Sequence, residues 1–162
     1  MQNKLDKKLE PISTKILLVD SNLKYKRKLE KKLNDIENPF ELLYVNSNVK
    51  FFNSVKEFNP DIVISEFKDT NINGSEVLEY IREQHRVVKV IITALEEREI
   101  DALKCLEKGA ANYINKRYLK KIAFAIKKII QKKDFEIELQ KSKFKLYESK
   151  EDYKKNSILS LS

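Results

Sequence analysis

The sequence is poor in the residues that build disulfide-rich folds and zinc sites. Its 162 residues include one cysteine, one histidine, no tryptophan, two glycines and three prolines. A single cysteine excludes an internal disulfide framework, and together with a single histidine it excludes a zinc cluster or a multi-histidine metal centre. No apolar run approaches the roughly 20 residues of a membrane-spanning helix. The start of the chain lacks the apolar core of a secretory signal. These absences predict a cytoplasmic protein without a membrane span.

Charge is abundant and unevenly placed. The segment from Lys116 to Lys155 holds fourteen Lys or Arg and six Asp or Glu, which accounts for the whole net charge of +8. Such a stripe suits nucleic acid or an anionic membrane surface as a partner, and it equally suits a solvated lysine-rich helix face. The chain has no helix-turn-helix signature or aromatic RNA-binding motif. This favours the solvated face and disfavours nucleic acid, and a basic-tail binder of nucleic acid or membrane surfaces stays as an alternative.

Short apolar runs alternate with amphipathic segments along the chain. The runs predict strands at 15–19, 42–45, 61–65, 87–93 and 112–115. The segments between and after them predict helices at about 22–36, 49–58, 75–84 and 100–106, and from about 118 onward. Parallel strands joined by right-handed helical crossovers form a doubly wound sheet. The sequence therefore predicts an α/β fold with a five-stranded parallel sheet, (βα)5, and an extended C-terminal helix.

Polar and charged residues stand at the ends of four predicted strands. Asp20 and Ser21 follow the first strand, Glu66 follows the third, Thr93 ends the fourth, and Lys116 follows the fifth. In a doubly wound sheet, functional groups lie at the carboxyl ends of the strands, where the strand order reverses. We therefore expect these side chains to converge at one edge of the sheet.

Four segments in this order resemble the receiver domain of two-component response regulators. They are LLVDSN, PDIVISEFKDTNING, VIITA and GAANYINKR. The resemblance covers about residues 15–133, and both glycines, Gly74 and Gly109, match turn positions of the family. It implies a flavodoxin-like fold and a role in phosphorelay signalling, with a histidine kinase or a downstream regulator as partner.

The family implies a role for each residue at the strand ends. In receivers an aspartate beside a Mg²⁺ ion accepts a phosphoryl group, and a threonine and a lysine bind the phosphoryl oxygens. By position, Glu66 stands in the acceptor place, eight residues before Gly74. Thr93 and Lys116 match the threonine and the lysine. The resemblance also makes Asp20 the first acid of the metal site and Tyr113 the aromatic residue of the switch.

Three departures from the family pattern argue against phosphorylation. Glu66 is longer than aspartate by one methylene, so its carboxylate moves outward by roughly a bond length. A displacement near 1 Å can cost on the order of a hundredfold in rate. Ser21 stands where the second acid belongs. Asp20 and Glu66 are therefore expected to bind Mg²⁺ weakly or to hold no cofactor at all. Arg117 replaces the proline that commonly follows the lysine, which predicts a rearranged loop with a trans peptide bond.

These departures predict an atypical, non-enzymatic receiver, and a working Mg²⁺-dependent phosphoacceptor is the alternative. Two interpretations of Glu66 stay open. It can act as a permanent partial mimic of the phosphorylated state, holding Thr93 and Tyr113 in the active arrangement through a pair with Lys116. It can also form a structural ion pair without any switch, since a buried pair is weak evidence for more.

The chain continues as a predicted helix beyond the receiver-like part. We divide it into a polar lead-in (1–14), a receiver-like domain (15–133) and a helical extension (134–162).

Two sets of residues at seven-residue spacing run through the last helix: Ala123, Ile130, Ile137 and Phe144, with Ile126, Lys133, Gln140 and Tyr147 between them. Half of the second set is polar, so the coiled-coil seam is mediocre. We expect a parallel homodimer through it, and a single helix that frays or folds back is the alternative. Residues 141–162 also resemble the helical lead-in to PAS domains, so the extension is alternatively a linker in a longer protein.

Overall fold

The computed structural model describes residues 12–84, 87–96 and 98–160. Its elements in chain order are β1 (Thr14–Val19), α1 (Leu23–Leu33), β2 (Phe40–Val45), α2 (Asn48–Phe58), β3 (Ile62–Glu66), β4 (Lys68–Asp69), β5 (Ile72–Asn73), α3 (Gly74–Glu83), β6 (Lys89–Ala94), α4 (Glu99–Glu107), β7 (Asn112–Asn115) and α5 (Leu119–Ser160). Most of the predicted lead-in and the single histidine, His85, lie outside the described residues.

The main sheet has five parallel strands in the order β2-β1-β3-β6-β7. All five predicted strands are present, and their ends differ from the predicted ones by two residues at most. The chain moves to one side of β1 through α1 and then to the other side through α2, so the strand order reverses between β1 and β3. The predicted flavodoxin-like, doubly wound sheet is therefore confirmed. The polar loop after β3 contains one feature that the prediction lacks, the short antiparallel hairpin β4-β5.

The sheet is buried on both faces. Its central strands carry continuous apolar runs because a parallel sheet covered on both faces has no solvent side. One face packs in a single cluster with α2, α3 and α4, through residues such as Phe51, Val77 and Cys105. The buried residues of α1 and the first part of α5, such as Leu29 and Ile122, are absent from that cluster and cover the opposite face. Cys105 is a buried free thiol, as expected for a small apolar residue.

Two helices leave some of their obvious apolar residues exposed to solvent. On α1 the buried stripe is Tyr25, Leu29 and Leu33 at four-residue spacing, and Leu23 is 47% exposed. On α4 the residue at the core is Cys105, while Ile100, Leu103 and Leu106 are each about half exposed. The α4 helix itself is confirmed, and its apolar residues lie at the protein surface.

The last helix, α5, runs for 42 residues. By its contacts the chain divides into two compact units between Lys127 and Lys128, and α5 contributes to both. From residue 131 to Ser160 nearly every side chain is exposed, including large apolar ones such as Phe135, Phe144 and Tyr153. Within the described residues, no helix combines the length and the apolar character that crossing a bilayer demands.

Candidate functional site

Strand register brings the predicted residues to one edge of the sheet. Val19 pairs with Ser65, and Glu66 pairs with Thr93, so the residues that follow β1 and end β3 and β6 lie side by side. Ala94 pairs with Asn115, which places Lys116 at the same edge. The edge is the carboxyl end of the parallel strands, at the point where the strand order reverses.

Gly74 allows the chain to approach Glu66 closely. Its backbone N–H donates to Phe67 O at 2.8 Å, which folds the β4-β5 hairpin back on the end of β3. A Cβ atom at this position would lie 2.7 Å from the Glu66 carbonyl oxygen. Only glycine fits there without moving the residue at the centre of the site.

The Lys116 ammonium lies between two acidic side chains. Its Nζ is 2.7 Å from Asp20 Oδ2 and 3.1 Å from Glu66 Oε1. It also lies over the ring of Tyr25, 4.4 Å from the ring centroid. Asp20 is fully buried, and Glu66 and Lys116 are nearly so. One buried cation therefore partners both carboxylates and an aromatic face.

Ser21 engages the second oxygen of Glu66. The Ser21 hydroxyl donates to Glu66 Oε2 at 3.1 Å, and its backbone N–H donates to the same oxygen at 3.3 Å. The residue that replaces the second acid of the family thus serves as a hydrogen-bond donor to the residue in the acceptor place. This contact needs a pairing of residues 45 positions apart in the chain.

Asp20 is fully buried at the site and has two partners. Its Oδ1 accepts the backbone N–H of Asn22 at 2.8 Å, and its Oδ2 pairs with Lys116. Burial raises the pKa of Asp20 above its ordinary value, and the hydrogen bonds from Lys116 and Asn22 oppose that effect. Among the groups around Asp20, Lys116 is therefore the one that most favours the ionised form of the carboxyl.

Thr93 and Tyr25 lie beside this pair in the buried floor. Thr93 is fully buried, and its hydroxyl donates a hydrogen bond to the Ser65 carbonyl oxygen at a distance of 3.5 Å. The Tyr25 hydroxyl is buried and makes no hydrogen bond of good geometry among the described residues. Burial, followed by the negative charges of Asp20 and Glu66, raises the Tyr25 pKa above its ordinary value. Tyr25 therefore stays neutral beside the two carboxylates.

Tyr113 lies at the rim of the site. Its ring meets the ring of Phe67 edge to face with centroids 5.8 Å apart, and its hydroxyl donates to Glu96 O at 3.4 Å. The side chain is half-buried. Phe67 directly follows Glu66, so the ring contact connects the predicted switch residue to the strand end that carries the acceptor position.

The loop after β7 uses Arg117 in a way that proline cannot copy. The backbone N–H of Arg117 donates to Asn115 Oδ1 at 2.9 Å, and the Asn115 amide donates to Leu95 O at 3.3 Å. No peptide bond in the described part of the chain is cis. A proline after Lys116 would lack the hydrogen for the first of these bonds.

The side chains at this edge do not fit the Mg²⁺ ion that the family binds. Three of the four carboxylate oxygens of Asp20 and Glu66 accept a hydrogen bond from Asn22, Ser21 or Lys116. The fourth, Asp20 Oδ2, forms an ion pair with the Lys116 ammonium at 2.7 Å but no hydrogen bond of good geometry among the described residues. Across residues 12–84, 87–96 and 98–160, no three His, Cys, Asp or Glu side chains form a group that could hold a metal ion. A Mg²⁺ ion takes oxygen ligands in near-octahedral geometry, and here it would have to displace existing donors.

A cavity of about 520 Å³ opens above Glu66 and Lys116. Its lining adds charged residues that the sequence analysis did not assign to the site: Lys24, Lys28, Lys68 and Asp69. Lys24 and Lys28 are one helical turn apart on α1, so their spacing in the sequence already indicates that they lie on the same face of the helix. Asp69 and Lys68 reach the cavity through the β4-β5 hairpin, which the sequence did not reveal.

The comparisons with known proteins agree with this architecture. The family model for the response regulator receiver domain matches residues 16–127. No curated protein matches the chain.

Several solved structures share the fold. A response regulator receiver domain from Clostridium thermocellum is 22% identical, with a TM-score of 0.66 over 75% of this chain and 98% of that one. A LuxR-family DNA-binding response regulator from Staphylococcus aureus is 23% identical, with a TM-score of 0.63 over 72% and 98%. The Mn(2+)-bound form of response regulator Rcp1 is 20% identical, with a TM-score of 0.60 over 72% and 91%. The sheet order, the strand-end residues and the family match agree, and the chain belongs to the response regulator receiver domain family of two-component signalling.

Proposed function

We propose that this receiver is a cytoplasmic, non-enzymatic protein-interaction module that signals without being phosphorylated. Its partners would be those of a two-component pathway, a histidine kinase or a downstream regulator. The observation that carries the proposal is the state of the Glu66 side chain. One of its oxygens accepts from Lys116 at 3.1 Å, and the other accepts from Ser21.

A phosphoryl acceptor must present a free carboxylate oxygen in line with the donor. Glu66 would have to break its bonds to Ser21 or Lys116 to do so, and Lys116 is buried between its two acidic partners. Loss of one partner from a buried ion pair is costly because the charge that remains is uncompensated. This cost adds to the misplacement that the longer glutamate side chain produces.

The proposal includes weak or absent binding of Mg²⁺. Ser21 supplies a hydroxyl where the family supplies a carboxylate, and Asp20 is fully buried with both oxygens engaged. A divalent cation would therefore meet fewer negative ligands than in other receivers. No step of the proposed function uses a metal ion.

For Glu66 itself we favour the partial mimic of a phosphorylated side chain. Its carboxylate holds Lys116, the residue that resemblance assigns to a phosphoryl oxygen. The mimic is partial, because the Thr93 hydroxyl bonds to the Ser65 carbonyl oxygen and not to Glu66. The Phe67–Tyr113 ring contact offers a route by which the state of this strand end reaches the surface.

The surface of α4 is the proposed contact for a protein partner. Ile100, Leu103 and Leu106 lie on this one helix, and each is 45–50% exposed. Large apolar side chains grouped at a surface are typical of protein interaction sites. The same helix follows the strand end that carries Thr93, so a change at the site has a short path to this surface.

The proposal is tested by incubating the full chain with a small phosphodonor, such as acetyl phosphate, and excess Mg²⁺. The intact mass is then measured over time. We expect no phosphate adduct, because the Glu66 oxygens are engaged. A double variant, Ser21→Asp with Glu66→Asp, restores the acidic set of the family, and we expect it to gain an adduct under the same conditions.

The Glu66→Gln variant serves as the control and also tests the mimic. A stoichiometric adduct on the native chain that disappears in Glu66→Gln would establish the working phosphoacceptor instead. For the mimic, the amide NMR signals of Thr93 and Tyr113 should shift in Glu66→Gln. Shifts confined to Lys116 and Ser21 would indicate a structural ion pair without a switch.

A further inference from the structure

The second compact unit carries a row of large apolar side chains that the proposed function does not use. The unit is helical over residues 128–160. Phe135, Leu139, Leu146 and Tyr153 are 68%, 44%, 59% and 77% exposed. Successive residues of a helix are about 100° apart around its axis, so these four lie within about 40° of one another and form a row about 27 Å long. We call these four residues the outer row.

The outer row is a poor seam for a second helix. It lies roughly on the opposite side of α5 from Ile137 and Phe144, so it stays exposed if the predicted dimer forms. A coiled-coil seam needs apolar residues at two positions of each heptad. Here the second position is occupied by Ser142 and Ser149. The outer row therefore lacks half of the apolar contacts by which helices pack together.

The side of α5 that carries the outer row is also its more basic side. The half of the helix circumference centred on the row contains five lysines and two acids, whereas the other half contains four lysines and four acids. The net charge of +3 in residues 128–160 therefore belongs to the side of the outer row. Its five lysines are Lys128, Lys132, Lys143, Lys150 and Lys154, and its two acids are Glu136 and Glu138.

Three of these lysines lie beside the outer row without an acidic partner in the described part of the chain. Lys132, Lys143 and Lys150 are exposed, and none takes part in the ion pairs found there. All three lie on one flank of the row, roughly 45–65° from its centre. Their long aliphatic stems allow the ammonium groups to extend along a neighbouring apolar phase. An external anionic partner can therefore reach these charges.

The combination of apolar row and lysines favours lipid over nucleic acid. A nucleic acid supplies phosphates to lysines, and its bases stack on aromatic side chains, but Leu139 and Leu146 have no ring for a base. An anionic membrane surface meets both features, because its headgroups attract lysines and its acyl chains receive apolar side chains. Phe135 and Tyr153, at the two ends of the row, are aromatic residues that suit the boundary between these layers.

We propose that the outer row and its lysines bind the surface of an anionic membrane, with this part of α5 lying in the plane of the surface. The outer row enters the boundary between headgroups and acyl chains, and Lys132, Lys143 and Lys150 contact lipid phosphates. Fluid acyl chains fill the gaps at the two serines, which a rigid partner helix cannot do. The inference goes beyond the proposed function, because it concerns the helical segment and holds whatever the role of Glu66.

The first test is co-sedimentation of the full chain with lipid vesicles at low salt. One set of vesicles is phosphatidylcholine alone, and in the other about one-third of the lipid is phosphatidylglycerol. We expect the chain to bind the anionic vesicles at least about tenfold more tightly, since each lysine near a charged surface contributes to affinity. Added salt should weaken this binding, because it screens exposed charges.

Matched lysine variants show which side of the helix meets the membrane. Lys143→Ala with Lys150→Ala removes two cations beside the outer row, and we expect affinity for anionic vesicles to fall on the order of tenfold or more. Lys141→Ala with Lys155→Ala removes the same charge from exposed positions on the far side. We expect this control to lower affinity by about twofold at most, through the general field alone.

Matched apolar variants separate insertion from electrostatic attraction. Leu139→Asn with Leu146→Asn keeps every charge, and we expect it to lower affinity for anionic vesicles by about tenfold, because the acyl region no longer receives the leucines. The chain has no tryptophan, so a single one introduced by substitution is a clean fluorescent probe. Emission of Leu146→Trp should shift to shorter wavelength on anionic vesicles, and emission of Ile158→Trp, on the far side, should not.

Three results would overturn the inference. The first is equal affinity for the two vesicle types, or no binding to either. The second is an equal loss of affinity in the two lysine double variants, which would indicate non-specific attraction to a basic protein. The third is tighter binding to a short duplex DNA than to anionic vesicles, with no loss in Leu139→Asn with Leu146→Asn. None of these results depends on the phosphodonor experiment, so the two proposals can fail separately.

Discussion

At the scale of single residues, Lys116 determines the character of the site. Its ammonium is buried, and it compensates Asp20 and Glu66 at the same time. Burying a carboxylate is unfavourable unless it has a charged or hydrogen-bonding partner. The cation between the two carboxylates, together with the donors Asn22 and Ser21, therefore makes their burial at this edge of the sheet tolerable.

Replacing Lys116 with methionine should destabilise the fold strongly at neutral pH. The variant keeps much of the side-chain volume and leaves two buried carboxylates without their cation. We expect the free energy of unfolding at pH 7 to fall by about 3–5 kcal/mol. Chemical denaturation followed by circular dichroism measures this loss. Lys120→Met, at an exposed position of α5, is the control and should cost less than about 0.5 kcal/mol.

The loss in Lys116→Met should also depend on pH. Burial already raises the Asp20 pKa, and removing Lys116 takes away the group that lowers it most. A carboxyl with a raised pKa in the folded state binds its proton there before the unfolded chain does. Protonation of this carboxyl therefore stabilises the folded state. This contribution to stability is present at low pH and is lost as pH rises through the folded-state pKa. The variant should recover stability from pH 7 to pH 5, and an equal deficit at both values would contradict this account.

At the scale of elements, the site depends on strand ends and on the turns that follow them. The hairpin β4-β5 and the start of α3 approach β3 because Gly74 has no side chain. Gly109 has another role, since its φ of +101° ends α4 in a conformation that other residues rarely adopt. The two glycines thus serve close approach in one place and backbone conformation in the other.

The two glycines can be compared by replacing each with alanine. In Gly74→Ala the new Cβ would lie 2.7 Å from the Glu66 carbonyl oxygen, so the hairpin or the strand end must move. We expect a loss of about 1–3 kcal/mol together with shifted amide NMR signals of Glu66 and Ser21. Gly109→Ala meets no atom within 4 Å and should lose about 1–2 kcal/mol through backbone strain alone. Unchanged Glu66 signals in Gly74→Ala would contradict the role given to this turn.

The helices show what the spacing of apolar residues can predict about a helix and what it cannot. The spacing of apolar residues predicted each helix, but on α1 and α4 it did not identify every residue that faces the sheet. On α1, Tyr25 takes the buried position and Leu23 is exposed; on α4, Cys105 is buried and Leu103 is exposed. The reason is physical: a helix with apolar residues on two faces can bury either, and the neighbouring elements select one.

At the scale of the whole molecule, the chain is one receiver followed by a long helical segment. The two units part between Lys127 and Lys128, and the predicted homodimer stays a prediction. Isolated helices in water gain little stability from their own backbone, so an exposed apolar row favours association. In the second unit, partly exposed Ile137 lies in one row with exposed Phe144, and exposed Leu139 and Leu146 lie on the other side of the helix.

The predicted dimer seam can be tested with two matched double variants of the full chain. Ile137→Asn with Phe144→Asn removes two seam residues, and Leu139→Asn with Leu146→Asn removes two apolar residues about 200° away around the helix. Light scattering after size-exclusion chromatography gives the molar mass. We expect the native chain and the second variant to be dimers and the first variant to be a monomer. A monomeric native chain, or equal disruption by both variants, would exclude this seam.

The order of strands and helices, the parallel sheet and the edge at which the site lies could all be predicted from the amino-acid sequence. These follow from local apolar patterns and from the handedness of crossovers, which neighbouring residues encode. Three features are visible only in the folded chain: Ser21 donates to Glu66, one ammonium pairs with two acids, and cations from α1, β4 and the loop after β7 surround one cavity. Those contacts join residues about 45 to 95 positions apart, and only packing determines which distant side chains meet.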